Sequence, residues 1–278
     1  MTAILPSTGW QARLALRIRA RWTAQHTPAL PSLRPAACTA AFYPEPDGSC
    51  QVYILHPPGG VVGGDRLDLD GQLGSNTWVL LTTPSAGKFY RSGGPFAQQL
   101  NTLTVQADAV LEWLPQETIV FDGAKLATTT RLELHANARA LGWEILCLGR
   151  PSSAESFTRG VCQQSLEIYR DGQPLLLERS RWQGGSVALT APWGLHAQPV
   201  SATLFCTLQD STQVDALREQ IQASPATRFA VTQVQDLLLC RYLGPSTAEA
   251  RALFSQAWTL LRPGLLHKPA CPPRVWAL

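Results

Sequence analysis

The sequence contains little charge and no long apolar run. Charged residues make up 15% of its 278 residues, apolar residues make up 45%, and the net charge is +3. That charge is too low for a nucleic-acid-binding protein, so we expect no nucleic-acid partner. No apolar run approaches the roughly 18 residues that a membrane-spanning helix needs. The first residues include arginines where a secretory signal would be apolar. These absences predict a soluble, cytoplasmic protein without a membrane contact.

The seven cysteines also lack a recognisable pattern. None forms a Cys-x-x-Cys pair, and successive cysteines are 12 to 97 residues apart. Several lie inside apolar runs, as Cys147 does between Leu146 and Leu148. This arrangement predicts buried free thiols in a reducing compartment, and neither a disulfide framework nor a zinc site.

Nucleotide-binding motifs are absent too, although one stretch is rich in glycine. The segment "HPPGGVVGGDRL" (56–67) has the spacing G-G-x-x-G-G, which differs from the G-x-G-x-x-G of dinucleotide-binding folds. The Gly87–Lys88 pair is followed by Phe89, whereas a phosphate-binding loop needs Ser or Thr there and an earlier glycine at the position of Thr82. The glycines therefore predict turns, and we expect no nucleotide to be bound.

Clusters of catalytic or metal-binding residues are hard to find. None of the five histidines lies within four residues of another. His56 and Asp65 could hold a metal across the glycine turn, but such residues more often bond to turn backbone. Glu112, Glu117 and Asp122 fall within eleven mostly apolar residues, and they could form a hydrolytic site or simply face water at strand ends. Because no complete catalytic set assembles, the sequence favours a non-enzyme.

Most of the chain reads as β-strand. An alternation of arginines (Arg13, Arg17, Arg19 and Arg21) with apolar residues predicts a first strand with one charged face, which either protects an edge or docks an acidic partner. An Asp171–Gly172 turn predicts a hairpin. Further strands are predicted at 52–55, 78–83, 103–105, 119–121, 132–134, 143–148, 166–169, 175–177, 203–208, 229–234 and 237–242. So many strands without helices between them favour a sandwich, barrel or solenoid.

Two helices are predicted late in the chain. The first covers 212–223, and the second covers 247–261 with a capping box formed by Ser246 and Glu249. In the second, one apolar face contains Ala250, Leu253, Phe254, Ala257, Leu260 and Leu261, and Arg262-Pro263-Gly264 should end the helix. The predicted fold is therefore mainly β with two late helices (α+β), with stacked sheets in a β-helix-like or sandwich-like body. No linker or repeat divides the chain, which predicts one domain over 1–278.

Several segments together resemble a known family. They are "HPPGGVVGGDRL" (56–67), "LLTTPSAGKFYRS" (80–92), "LEWLPQETIVFDGA" (111–124), "LGRP" (148–151) with "GQPLLLERSR" (172–181), and "PPRVW" (272–276), in this order. With these segments in this order, the chain resembles the urease accessory protein D family, called H in some species. The resemblance runs from about residue 10 to the C-terminus.

The resemblance implies a role in urease maturation without catalysis. Family members are scaffolds that contact the apo-urease structural subunits and recruit accessory protein F, which in turn recruits the GTPase G. Accessory protein E, which delivers nickel, would be an indirect partner. The family fold is a mostly β body of stacked sheets with two helices. No cofactor would be tightly bound, and nickel would pass transiently through or along the protein.

Candidate residues follow from the matching segments. We expect Asp65, Glu117 and Asp122, and after them His56, to line a nickel path, because transient oxygen ligands suit passage better than a tight thiolate or multi-histidine site. Lys88, Tyr90 and Arg91 are further polar motif residues without an assigned role. The prolines, glycines and tryptophan of these segments (Pro57, Pro58, Gly59, Gly60, Gly63, Gly64, Trp113 and Pro115) are expected to be architectural.

Partner surfaces are harder to assign. Phe254 and Trp276 are candidates, although an amphipathic helix usually packs on its own domain. Two alternatives remain beside the scaffold: a carrier that binds nickel tightly, and a hydrolase that uses Glu112, Glu117 and Asp122. Equilibrium dialysis with nickel separates the carrier from the scaffold, and turnover of a substrate without partners would identify the hydrolase.

Overall fold

The computed structural model describes residues 9–19, 32–33, 37–39, 41–45, 48–56, 58–207 and 212–277. Arg21, Pro57 and Leu208 lie outside the described residues, and so do the expectations placed on them.

Strands dominate the described chain. They are β1 (Gln11–Ile18), β2 (Ser32–Leu33), β3 (Ala37–Cys38), β4 (Cys50–Leu55), β5 (Arg66–Leu73), β6 (Trp78–Thr82), β7 (Gly87–Phe89), β8 (Ala97–Val105), β9 (Val110–Leu114), β10 (Thr118–Val120), β11 (Lys125–Leu134), β12 (Arg139–Leu148), β13 (Val161–Arg170), β14 (Gln173–Gln183), β15 (Val200–Thr207), β16 (Arg228–Val234) and β17 (Leu237–Gly244). The helices are α1 (Val187–Thr190), α2 (Thr212–Gln220) and α3 (Thr247–Leu266), with 3-10 turns at Pro151–Ser153 and Arg274–Ala277. The prediction of a mainly β chain with two late helices is confirmed, and α1 is one additional helical turn.

Two stacked sheets form the body. The first has the strand order β14-β13-β11-β8-β5-β1-β2, and the second has the order β16-β17-β15-β12-β9-β6-β4-β3. From β4 to β13 the chain alternates between the sheets, and each strand pairs in parallel with the strand one coil earlier. The short strands β7 and β10 form a strip beside β12. The fold is therefore a solenoid, one of the arrangements that the strand count predicts.

Antiparallel strands complete both sheets. The turn at Asp171 and Gly172, with φ of 47° and 77°, joins β13 to β14 as a hairpin, as the Asp-Gly pair predicts. Strands β15, β17 and β16 extend the second sheet in antiparallel pairs. At the other end β1 pairs in parallel with β5 and buries Leu14 and Leu16 on its apolar face.

The helices α2 and α3 cover the second sheet. Helix α3 buries Leu253, Phe254 and Ala257 in a cluster that includes Trp143 and Leu204 of the sheet. Most of its predicted apolar face is confirmed, but Leu260 remains 37% exposed. Half of the predicted capping box forms: the Ser246 hydroxyl accepts a hydrogen bond from the Glu249 amide at 3.2 Å, whereas the Ser246 amide donates to the Tyr242 hydroxyl and not to the Glu249 carboxylate.

The predicted end of α3 is wrong. The helix continues through Pro263 to Leu266 and ends at His267, whose φ is 58°. The side chain of Arg262 is fully buried and pairs with Glu112 of β9 at 2.9 Å and with Glu45 at 2.6 Å. These ion pairs and the burial of Leu265 and Leu266 outweigh the roughly 3 kcal/mol that a proline costs inside a helix.

We expect Arg262→Met to unfold at a lower urea concentration than the wild type. The substitution leaves the Glu112 carboxylate buried without its cation, which costs about 3–5 kcal/mol. Arg274→Met, which removes an exposed arginine beyond the same helix, is the matched control and should change the free energy of unfolding by less than about 0.5 kcal/mol. Equal unfolding midpoints for both variants would contradict the anchoring role of Arg262.

Candidate functional site

A band of polar side chains runs through the interior of the solenoid, between the two sheets. We call it the polar layer. It consists of Gln99, Asn101, Thr128, Thr130, Glu144, Gln164, Glu178, Ser180, Thr203 and Arg241. Apolar clusters border it on both sides, one around Leu103 and Leu132 and the other around Leu126 and Leu146.

Strand register produces this layer. In the first sheet Gln99 pairs with Thr128, Thr128 with Gln164, and Gln164 with Ser180. In the second sheet Glu144 pairs with Thr203 and Thr203 with Arg241. With about 4.8 Å between neighbouring strands, the polar layer extends roughly 14 Å along the solenoid axis, over the three spacings from β8 to β14.

Two cavities lie along the polar layer. One of about 100 Å³ is lined by His56, Asn101, Thr118 and other residues, and one of about 70 Å³ is lined by Glu178, Ser180, Ser201 and others. Glu144 and Gln164 border both cavities. The Gln164 amide donates a hydrogen bond of 2.8 Å to the Glu144 carboxylate. This pair therefore lies between the two cavities, at the position that we call the constriction.

Three buried polar atoms along the cavities have no hydrogen-bond partner among the described residues: His56 Nε2, Trp113 Nε1 and Glu178 Oε2. Buried polar groups are ordinarily satisfied by protein or water. The larger cavity has room for several water molecules. These atoms therefore favour hydrated cavities with spare donors and acceptors for a passing ligand.

The enclosed position of Glu144 changes its acidity. Burial raises the pKa of Glu144 to about 7, and the nearby Glu178 carboxylate acts in the same direction, while hydrogen bonds with Thr130 and Gln164 oppose the rise. Near neutral pH this carboxyl group exists in both protonation states. It can therefore release a proton when a cation arrives and take one up when the cation leaves.

Arg241 closes the end of the polar layer at β17. Its guanidinium pairs with Glu178 and donates a hydrogen bond of 3.1 Å to the Thr203 hydroxyl. At the opposite end the His56 ring stacks on Trp10, with 5.1 Å between ring centroids. Burial lowers the pKa of His56, with Asp65 partly opposing, so the imidazole is neutral at pH 7.

Of the four residues expected to line a nickel path, His56 lies on a cavity. Asp65 is buried beneath the glycine loop, where its carboxylate accepts hydrogen bonds from the amides of Trp10 at 3.1 Å and Val62 at 2.9 Å. Glu117 pairs with Arg251 at 3.5 Å. These contacts give Asp65 and Glu117 structural roles, and their contact with nickel remains a prediction.

Asp122 is held in a dense set of hydrogen bonds. Its carboxylate accepts from the amide and hydroxyl of Thr158 and from the amide and guanidinium of Arg159. Partial burial raises the pKa of Asp122, but the bonds from Arg159 and Thr158 outweigh this and lower the pKa to about 2. Asp122 therefore fastens the loop before β13.

The three carboxylates of the hydrolase alternative do not share a site. Glu112 accepts hydrogen bonds from Trp258 at 2.6 Å and Arg262 at 2.9 Å beneath α3, whereas Glu117 and Asp122 have the separate partners described above. Among the described residues, no three His, Cys, Asp or Glu side chains form a group that could hold a metal ion. The geometry thus argues against a hydrolytic centre in this segment.

The glycine-rich segment 56–67 packs against segment 80–92, the second of the segments that resemble the family. A side chain at Gly60 would meet the Tyr90 ring at 2.0 Å, and one at Gly63 would meet the Ser92 hydroxyl at 2.0 Å. The amide of Val61 donates a hydrogen bond to the Lys88 carbonyl at 2.8 Å. Here the glycines have the architectural role that was expected of them.

The two candidate partner residues differ in accessibility. Phe254 is fully buried, and its ring lies 6.2 Å from that of Trp143, so this side chain packs on its own domain, which is the alternative that the sequence left open. Trp276 is partly buried, and its indole donates a hydrogen bond of 3.0 Å to the Thr82 hydroxyl.

All seven cysteines are free thiols, and five of them are buried, as predicted.

Comparisons with known proteins all find similarity to the same family. A family described as "UreD urease accessory protein" matches residues 11–277. A urease accessory protein UreD 2 from Brucella anthropi is 43% identical over 98% of this chain and 99% of its own length. A urease accessory protein UreD from Pseudomonas fluorescens is 45% identical over 96% of this chain and 95% of its own.

The acidity of Glu144 predicts a pH-dependent stability. Its pKa is about 7 in the folded protein against 4.5 in the unfolded chain, so its contribution to folding is present below pH 4.5 and is lost as the pH rises to 7. The Glu144→Gln variant has no carboxyl group at this position, so its stability does not decrease in this way as the pH rises. Between pH 4.5 and pH 8, the free energy of unfolding of the variant should therefore rise relative to the wild type by about 3 kcal/mol.

Urea unfolding at both pH values measures this difference. Glu133→Gln, which changes a carboxylate outside the polar layer, is the control and should follow the wild type. If the free energy of unfolding of Glu144→Gln changes with pH as that of the wild type does, Glu144 is not buried as described.

Proposed function

This chain belongs to the UreD family of urease accessory proteins, and on that premise we propose that it is a non-catalytic maturation factor that binds apo-urease and conducts nickel through its polar layer. The single observation that carries the proposal is the polar layer, with its two adjacent cavities, between two apolar clusters. A purely structural interior would be filled with apolar side chains, because each buried polar group needs a partner.

The chemistry of the polar layer suits a divalent cation in transit. Amide, hydroxyl and carboxylate oxygens are available along it, and His56 adds one imidazole nitrogen at the end near β5. Such isolated ligands hold a borderline cation weakly, whereas clustered thiolates or histidines would retain it. Nickel is thus the cargo of the protein and not a resident cofactor.

Glu144 is the central residue of the proposed path. It borders both cavities and is their shared carboxylate. Its pKa of about 7 leaves it protonated part of the time near neutral pH when the constriction is empty, which limits the cost of burying a charge. A nickel ion displaces the proton, binds the carboxylate, and moves on when partners draw it toward urease.

We further propose that accessory proteins F and G act on this chain, with GTP hydrolysis in G linked to nickel release, and that accessory protein E supplies the nickel indirectly. The ordered sequence segments that resemble the family support these partners. The free thiols support a reducing compartment, and we place the complex in the cytoplasm.

The proposal predicts that Glu144→Leu lowers the nickel content of urease. Leucine removes the central carboxylate and leaves an apolar constriction that a hydrated cation crosses poorly. Urease co-expressed with its accessory proteins would be purified, and nickel per active site would be measured by mass spectrometry. A loss of at least several-fold is expected.

Glu133→Leu, on the outer side of β11, is the matched control and should leave nickel content unchanged. Asp65→Ala and Glu117→Leu, measured alongside, test the path expected from sequence. Unchanged nickel content with a folded Glu144→Leu chain would contradict conduction through the polar layer. Tight nickel retention by the isolated chain in equilibrium dialysis would instead favour a carrier.

A further inference from the structure

A second feature lies on the surface, outside the polar layer. A cleft of about 670 Å³ opens between the strip of β7 and β10, the loop after β12, and the start of α3. Lys88 is at its rim, and Arg150 is on the loop. Apolar side chains form much of its wall: Tyr90, Ile119, Phe121, Val200 and Pro245.

The cleft carries one unpaired positive charge, that of Lys88. Lys88 is exposed and makes no hydrogen bond or ion pair through its side chain with any described residue. Arg150 lies over the Phe121 ring at 4.7 Å and pairs with Glu155 at 2.6 Å. No carboxylate of the described residues lines the cleft. The N-terminus of α3 adds a partial positive charge at the same place.

The walls of the cleft are held in a fixed shape. Tyr90 packs edge-on against Phe121 with 4.7 Å between ring centroids, and its other side lies against Gly60. The Val61 carbonyl accepts a hydrogen bond from the Tyr90 amide at 2.8 Å. A preformed wall loses little conformational entropy when a partner binds, which favours recognition.

The size and walls of the cleft favour a protein segment over a small anion. A free phosphate would meet one unpaired cation and a large apolar surface that it cannot use. A peptide segment can place a carboxylate beside Lys88 and an apolar side chain against Tyr90 and Phe121.

We infer that this cleft is a docking site for an acidic segment of apo-urease. The inference rests on the proposed function for the identity of the partner. Charge complementarity with Lys88 would orient the complex, and the apolar wall would supply contact area. The polar layer would then remain free to conduct nickel while the chain is docked.

Lys88→Glu tests this docking site. The purified full-length chain would be titrated with purified apo-urease by biolayer interferometry at low and high salt. Charge reversal at Lys88 should weaken association about tenfold at low salt, and the difference should shrink at high salt. Lys88→Ala should show a smaller loss in the same direction.

Arg274→Glu is the matched control, since it makes the same charge change at an exposed residue beyond the other end of α3. It should bind like the wild type. A photo-crosslinker at position 88 should attach to a urease segment that contains Asp or Glu.

Three outcomes would overturn the inference. If Lys88→Glu binds as tightly as the wild type, the docking site is elsewhere. Crosslinking from position 88 to a second copy of this chain would assign the cleft to self-association instead. If the wild-type chain does not bind apo-urease at all, the proposed function itself fails, and the docking site fails with it.

Discussion

A polar side chain placed between two sheets must find a hydrogen-bond partner or water, and this constraint shapes the whole molecule. In the solenoid, parallel pairing repeats one inward position from coil to coil, so that Gln99, Thr128 and Gln164 become neighbours. Each of these side chains has polar neighbours only because the adjacent strand carries a polar residue at the paired position. Replacing one member therefore affects the surroundings of the others.

The remaining elements surround the polar layer. Apolar clusters border it on either side, and the antiparallel strands β14, β15 and β17 bring Glu178, Thr203 and Arg241 to one end, where the side chains of Glu178 and Arg241 are partly exposed. Outside the second sheet, α3 is fastened to β9 by the pair of Arg262 and Glu112. The outer surface is thus left for the proposed partners, and the interior for the proposed passage of the cation.

Much of this structure could be predicted from the sequence, because it depends on local patterns. Apolar alternation located most strands, Ser246 and Glu249 located the start of α3, and the cysteine spacing indicated free thiols. The register between parallel strands could not be predicted, since it is set by packing between distant coils. The polar layer does leave a signal: Gln99 and Asn101 in β8, and Thr128 and Thr130 in β11, are polar residues on inward faces that are otherwise apolar. The course of α3 through Pro263 depends on Arg262 meeting two distant carboxylates, which no local pattern reveals.

Conduction through the interior can be separated from docking by blocking the cavity sterically. Ser180 lines the smaller cavity, and Ser180→Phe would fill it without changing any charge. The decisive measurement is the nickel content of urease isolated from cells that carry this variant, together with the amount of the chain that co-purifies with apo-urease. If nickel passes through the polar layer, the variant binds apo-urease at the wild-type level but delivers little nickel. Normal nickel content with a folded, bound Ser180→Phe chain would show that nickel takes another route.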